Sequence, residues 1–218
     1  MKTYRDHYFE RAKQEQYPAR SVYKLQEMDR RFTLLRRGMK VLDLGAAPGS
    51  WTLYAARRVG PGGRVLAVDL QTLREALAPE FKDLVFPANV QFRQEDVFAP
   101  SPDFSAELEA ARGFDLVMSD MAPRTTGVQF ADQARSLELA LQALSLARQW
   151  LLKEGRFVVK VFMGPDSETL RQKMRPCFRE VKAFKPKSSR AESKEIFFLG
   201  LGFLGPTGEP EGSPASVS

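Results

Sequence analysis

Apolar and polar positions divide the chain into short strand-like runs separated by longer stretches of helical period. Lys40 to Leu44 reads as a strand and Ser50 to Val59 as the helix after it. "RVLAVDL", Arg64 to Leu70, is a second strand following the turn "GPGG", and Asn89 to Arg93 a short third. "FDLVMSD", Phe114 to Asp120, is a stronger fourth. Ala131 to Leu152 has the pattern of a long helix, and "GRFVVKVF", Gly155 to Phe162, that of a buried strand. Ser167 to Met174 is helical again, and Phe178 to Phe184 and Lys194 to Phe203 complete the strands. Ahead of all these, Tyr4 to Leu35 is helical in character. Val22, Leu25 and Met28 stand at helical spacing, Pro18 suits a first helical turn, and Gly38 closes the segment.

Strands alternating with helices predict an α/β fold, a mostly parallel seven-stranded sheet with helices on both faces. No helix separates the last two strands, which predicts an antiparallel hairpin at one edge. Three regions follow: residues 1–37 as a basic helical segment, 38–204 as the α/β domain, and 205–218 as a disordered tail rich in Gly, Pro and Ser.

Composition narrows the chemistry. Of 218 residues, 43% are hydrophobic and 28% charged, enough apolar surface for one sizeable core. No apolar run approaches the roughly 18 residues of a membrane span, and the polar start "MKTYRDHYFERAKQEQ" resembles no signal peptide. A cytoplasmic protein is expected. One cysteine, Cys177, excludes an internal disulfide and a cysteine metal cluster, and one histidine, His7, argues against a zinc site. No metal and no membrane are expected. The net charge is +6, and basic residues crowd Ala19 to Lys40 and Arg175 to Lys194. That clustering points to a polyanionic partner.

The first strand runs into "GAAPGSW", where glycines let the backbone approach a ligand closely. In open α/β sheets, ligands lie beyond the carboxyl ends of the strands. The turn lacks both the dinucleotide fingerprint and the Gly-Lys-Ser/Thr of a phosphate loop. About twenty residues on, Asp69 ends the second strand where a carboxylate accepts from a ribose diol. Asp96 follows the third strand, where an adenine amino group would lie. A glycine turn and two acids in this order describe a site for S-adenosylmethionine, although each part alone has a plain reading as turn or helix cap.

Two polar residues interrupt strands that should be apolar: Asp120 ends "LVMSD", and Lys160 lies inside "FVVKVF". A lysine there is costly to bury unless paired or reaching water. Lys24 and Glu195 could converge on the same strand-end cleft. Two lysines and two carboxylates keep charge nearly balanced. A second ammonium and partial desolvation favour the neutral amine that removes a proton.

The stretches "ARSVYKL", "VLDLGAAPGSW", "VDL", "SDMAP", "FVVKVF" and "KPKSSRAESKE" resemble the FtsJ-type RNA ribose 2′-O-methyltransferases over roughly Tyr4 to Phe203. The resemblance implies a Rossmann-like S-adenosylmethionine-dependent methyltransferase fold. It also implies a catalytic tetrad of Lys24, Asp120, Lys160 and Glu195, with Lys160 as general base. Cofactor contacts fall on Gly49, Trp51, Asp69, Asp96 and Asp120, joined in the same turn by Gly45 and Pro48. Bacterial members similar to this chain modify a uridine in the 23S RNA of the large ribosomal subunit; others act on transfer RNA anticodon loops. Ser50 stands where a second glycine is frequent. An RNA surface is expected from Arg20, Lys24, Arg30, Arg31, Arg36 and Arg37, with Lys185, Lys187 and Arg190. A monomer acting on ribosomal RNA is expected, against the alternatives of a transfer RNA enzyme or a non-catalytic ribosome-assembly factor.

Overall fold

A computed structural model describes residues 7–111, 113–190 and 192–205; the predicted tail from 206 onward and the residues before His7 lie outside them. The strands are β1 Lys40–Leu44, β2 Arg64–Asp69, β3 Val90–Gln94, β4 Phe114–Ser119, β5 Leu151–Phe162, β6 Phe178–Phe184 and β7 Glu195–Phe203. They form one seven-stranded sheet in the order β3-β2-β1-β4-β5-β7-β6. β7 is antiparallel to both β5 and β6, and the remaining pairs are parallel. The antiparallel strand is thus one place in from the edge, and β6 is the edge itself.

The helices are α1 His7–Gln14, α2 Val22–Phe32, α3 Ser50–Val59, α4 Leu73–Ala76, α5 Pro102–Ala111, α6 Gln129–Trp150 and α7 Ser167–Met174. Alternation along the buried strands decides which helix covers which face. Leu42, Leu44, Val117, Phe157 and Val159 pack with Phe104 and Leu108 of α5, Ala140 and Leu144 of α6, and Leu170 of α7. Val41, Val65, Leu116, Met118 and Val158 pack on the other face with Leu25 and Met28 of α2 and Trp51 and Ala55 of α3. Residues 7–37 therefore share their core with the sheet through α2.

The N-terminal segment is two helices rather than one. Gln16 takes a left-handed φ of 56°, and Pro18 lies in the connection, four residues ahead of Val22. α2 ends at Phe32 because Thr33 turns left-handed, with its N–H on Asp29 O. β5 starts four residues earlier than the pattern predicts, since Leu151 pairs with Phe114 directly after α6. α5 was not predicted, although Ser101 caps it, its hydroxyl accepting from Phe104 N at 3.3 Å, with Pro102 at the first position.

Candidate active site

β4 and β5 run parallel with Ser119 opposite Val159, so the next residues, Asp120 and Lys160, emerge side by side at the carboxyl end of the sheet. Lys160 is 7% exposed. Its Nζ donates to the Asp120 backbone oxygen at 2.6 Å and to Asp120 Oδ1 at 2.9 Å. Two acceptors, one of them charged, offset the cost of taking an ammonium out of water. β7 begins at this same end: Glu195 pairs in register with Phe162 and Phe197 with Lys160. Lys24, in the first turn of α2, places Nζ 2.6 Å from Glu195 Oε1. The Ser189 hydroxyl donates to the same oxygen at 2.8 Å. Burial alone would raise the Glu195 carboxyl, but Lys24, Ser189 and the Lys160 charge outweigh it and hold the group below its usual range. All four predicted polar residues thus meet at one end of the sheet.

Beside them opens a cleft of about 690 Å³ whose wall includes Gly45, Asp69, Asp96, Asp120, Met121 and Pro123. Gly45 turns the chain over the end of β2, its N–H and that of Ala46 both donating to Val68 O. Its φ of 76° is left-handed, and a Cβ there would sit 2.5 Å from Met121 Cγ. Only glycine keeps this wall of the cleft open. Asp69 Oδ2 accepts from Ala47 N and Oδ1 from Gln71 N, both at 2.9 Å. A carboxylate offers about four lone pairs, so each oxygen retains capacity for a hydroxyl. Asp96 Oδ1 accepts from Phe98 N at 3.0 Å. Paired acceptors for a diol and a second acid one strand away fit an adenosyl group, and the volume accommodates it.

Three residues predicted for the cofactor stand apart from this wall. Trp51 is buried in the core, its Nε1 donating to Ser21 O at 2.9 Å and its ring 5.8 Å from Phe197. Gly49, with a φ of 97°, faces Phe86, whose ring a Cβ would meet at 2.5 Å. Pro48 follows a cis peptide in the same turn.

The basic residues divide likewise. Arg36 and Arg37 precede β1 and so stand at the opposite end of the strands from the cleft. Arg20 donates to Ser188 O at 2.5 Å and stacks over Tyr8 at 5.3 Å from its centroid. Lys185 Nζ bonds Ser193 O. Arg30, Arg31, Lys187 and Arg190 are exposed.

The sequence reading missed three participants. Glu27, one turn along α2 from Lys24, accepts the backbone N–H groups of Lys187 and Ser188, each at 2.8 Å, and fixes the β6–β7 loop. Its signal was the spacing of three from Lys24. Ser189 gave no signal beyond a polar loop. Asp43, in the apolar run of β1, is 1% exposed and accepts from Thr52 Oγ1 at 2.6 Å.

Comparison with known proteins gives this geometry its family. The profile of the FtsJ-like methyltransferases matches residues 17–203. The chain belongs to that family. A ribosomal RNA large subunit methyltransferase E of Nitratidesulfovibrio vulgaris is 62% identical over 205 residues, covering 94% of this chain and 96% of the relative. The protein of the same description in Bdellovibrio bacteriovorus is 48% identical, covering 90% and 96%. A Plasmodium falciparum structure assigned as a ribosomal RNA methyltransferase is 26% identical at a TM-score of 0.71, covering 87% of this chain and all of that one. Aeropyrum pernix fibrillarin, solved with natively bound S-adenosyl-L-methionine, shares the fold at a TM-score of 0.55 and 15% identity, over 77% of this chain and 68% of its own. The chain is a methyltransferase with S-adenosylmethionine as its donor.

Proposed function

We propose that this methyltransferase acts on the ribose 2′-hydroxyl of a uridine in 23S ribosomal RNA of the large subunit. The Lys160 ammonium held on Asp120 at the mouth of the cleft carries the reading, and the names of the relatives at 62% and 48% identity support the substrate. Asp69, Asp96 and the Gly45 turn would hold S-adenosylmethionine, which supplies an electrophilic methyl group when bound. Lys160 is the general base: once its Nζ has given its own proton to solvent, it accepts that of the 2′-hydroxyl. Asp120 aims the Lys160 Nζ through two acceptors and stabilises the ammonium formed when that proton arrives. Lys24 and Glu195, joined to each other, position the ribose. Lys185, Lys187 and Arg190 meet flanking phosphates, which supply affinity and salt dependence rather than base choice.

The test is labelled methyl transfer onto large ribosomal subunits, naked ribosomal RNA and bulk transfer RNA, with the modified ribose mapped. Label on the ribosomal substrates supports the target; label on transfer RNA alone replaces it. Lys160→Ala lowers transfer by about 10²–10⁴-fold, the usual worth of a positioned base, while isothermal titration shows cofactor binding intact. A Lys160→Ala variant with near-native turnover and bound cofactor rules out this base.

A further inference from the structure

A second cleft, of about 730 Å³, lies between α2 and β6 and is lined by Arg30, Arg31, Lys182, Lys187, Phe32 and Phe184, with Glu27 at one end. Its charge is unbalanced. Glu27 spends its carboxylate on the Lys187 and Ser188 backbone N–H groups, and Lys182 reaches Glu180. Among the described residues, no ion pair or hydrogen bond engages the guanidinium of Arg30 or Arg31 or the ammonium of Lys187. Phe32 and Phe184 are half-buried and meet edge to face, centroids 5.5 Å apart. Cations lining one cleft with two half-buried aromatic rings suit a strand whose phosphates and base faces alternate. An acidic protein segment would use the cations and leave the rings unexplained.

We propose that this groove is a second RNA site that binds unpaired nucleotides flanking the target, phosphates on Arg30, Arg31 and Lys187 and a base against Phe184. The proposal rests on the RNA reading above. The groove lies along the same helix as the reacting end of the sheet, Arg31 being seven residues along α2 from Lys24, about 10 Å at 1.5 Å per residue. Glu27 lines the groove while holding the loop whose Ser189 touches Glu195. In this proposal one strand of RNA spans both.

The experiment measures binding of an unstructured oligouridylate, and of a duplex RNA of equal length, to the full chain across a salt series. Arg30→Ala/Arg31→Ala should weaken oligouridylate binding about tenfold and reduce the slope of log affinity against log salt by about 1.4, two contacts at about 0.7 each. Phe184→Leu should cost the oligouridylate about tenfold with the salt slope unaltered, and cost the duplex nothing, since stacking needs an open base face. Melting temperature and S-adenosylmethionine titration serve as controls for folding. Unchanged oligouridylate affinity and slope in the double variant overturns the proposal. So does an equal loss of duplex binding in Phe184→Leu. Wild-type methyl transfer to ribosomal RNA separates the two failures. Its absence sinks the RNA reading, and its presence beside unaltered variant affinity sinks the groove alone.

Discussion

Asp43 shows how far burial moves one carboxyl. Desolvation pushes it from 3.8 up to about 7, the Thr52 hydroxyl works against that rise, and the charges of Asp120 and Asp69 add to it. A folded value above the unfolded one means the native state holds a proton that the unfolded chain has lost. Stability from this group is then complete below about pH 4 and lost as pH rises toward 7. Thermal melts across that window should show the wild type losing stability relative to Asp43→Asn, and parallel curves would contradict the assignment. Glu195 has the opposite sign. Its carboxyl is held below 4.5, so its contribution is present above that pH and lost in acid as pH falls through the folded value. Glu195→Gln should therefore flatten the acid limb of the melting profile. At Gly45, alanine would need a left-handed φ, costing about 1–2 kcal/mol, and would push against Met121. Gly45→Ala should weaken cofactor binding in a titration; unchanged affinity would mean the wall is more yielding than its 2.5 Å contact implies.

Between elements, two carboxylates of α2 do different work. Asp29 accepts from Leu35 N, the Tyr54 hydroxyl and Arg58 Nε, stapling the end of α2 to α3. Asp29→Ala leaves those donors without their acceptor and should cost about 3 kcal/mol, read by denaturant unfolding. Glu27 instead ties α2 to the β6–β7 loop, which carries Ser189 to Glu195. Glu27→Ala should raise KM for RNA and lower kcat while leaving S-adenosylmethionine affinity unchanged, because the cofactor cleft lies on other elements. Glu27→Gln, which keeps an acceptor oxygen, should recover part of the loss. A variant that only melts earlier, with both constants intact, would make Glu27 purely structural.

Across the whole molecule, the parallel strands give the sheet two unlike ends. β1 runs from Lys40 to Leu44, about 17 Å at 3.3 Å per residue, with Arg36 and Arg37 before its start and the Gly45 turn after its end. Charge reversal at Arg36 and Arg37 should therefore leave RNA affinity nearly unchanged at moderate salt, where charges farther apart than about 10 Å are screened. An effect as large as that of Arg30→Ala/Arg31→Ala would extend the RNA surface around to the far end.

Local pattern settled much of this protein. The bounds of β1, α3, α7 and β6 follow from the local apolar pattern and the turn residues that flank it. Lys160 and Asp120 stood out because charge inside an apolar strand needs a partner. The structure decided what depends on distant segments meeting. Strand order put β7 between β5 and β6, bringing Glu195 to Lys24. The turn after β1 sent Trp51 into the core. Strand direction put Arg36 and Arg37 at the end opposite the cleft. The Glu27 latch joins residues 160 and 161 positions apart in the chain, a separation that no local window of sequence spans.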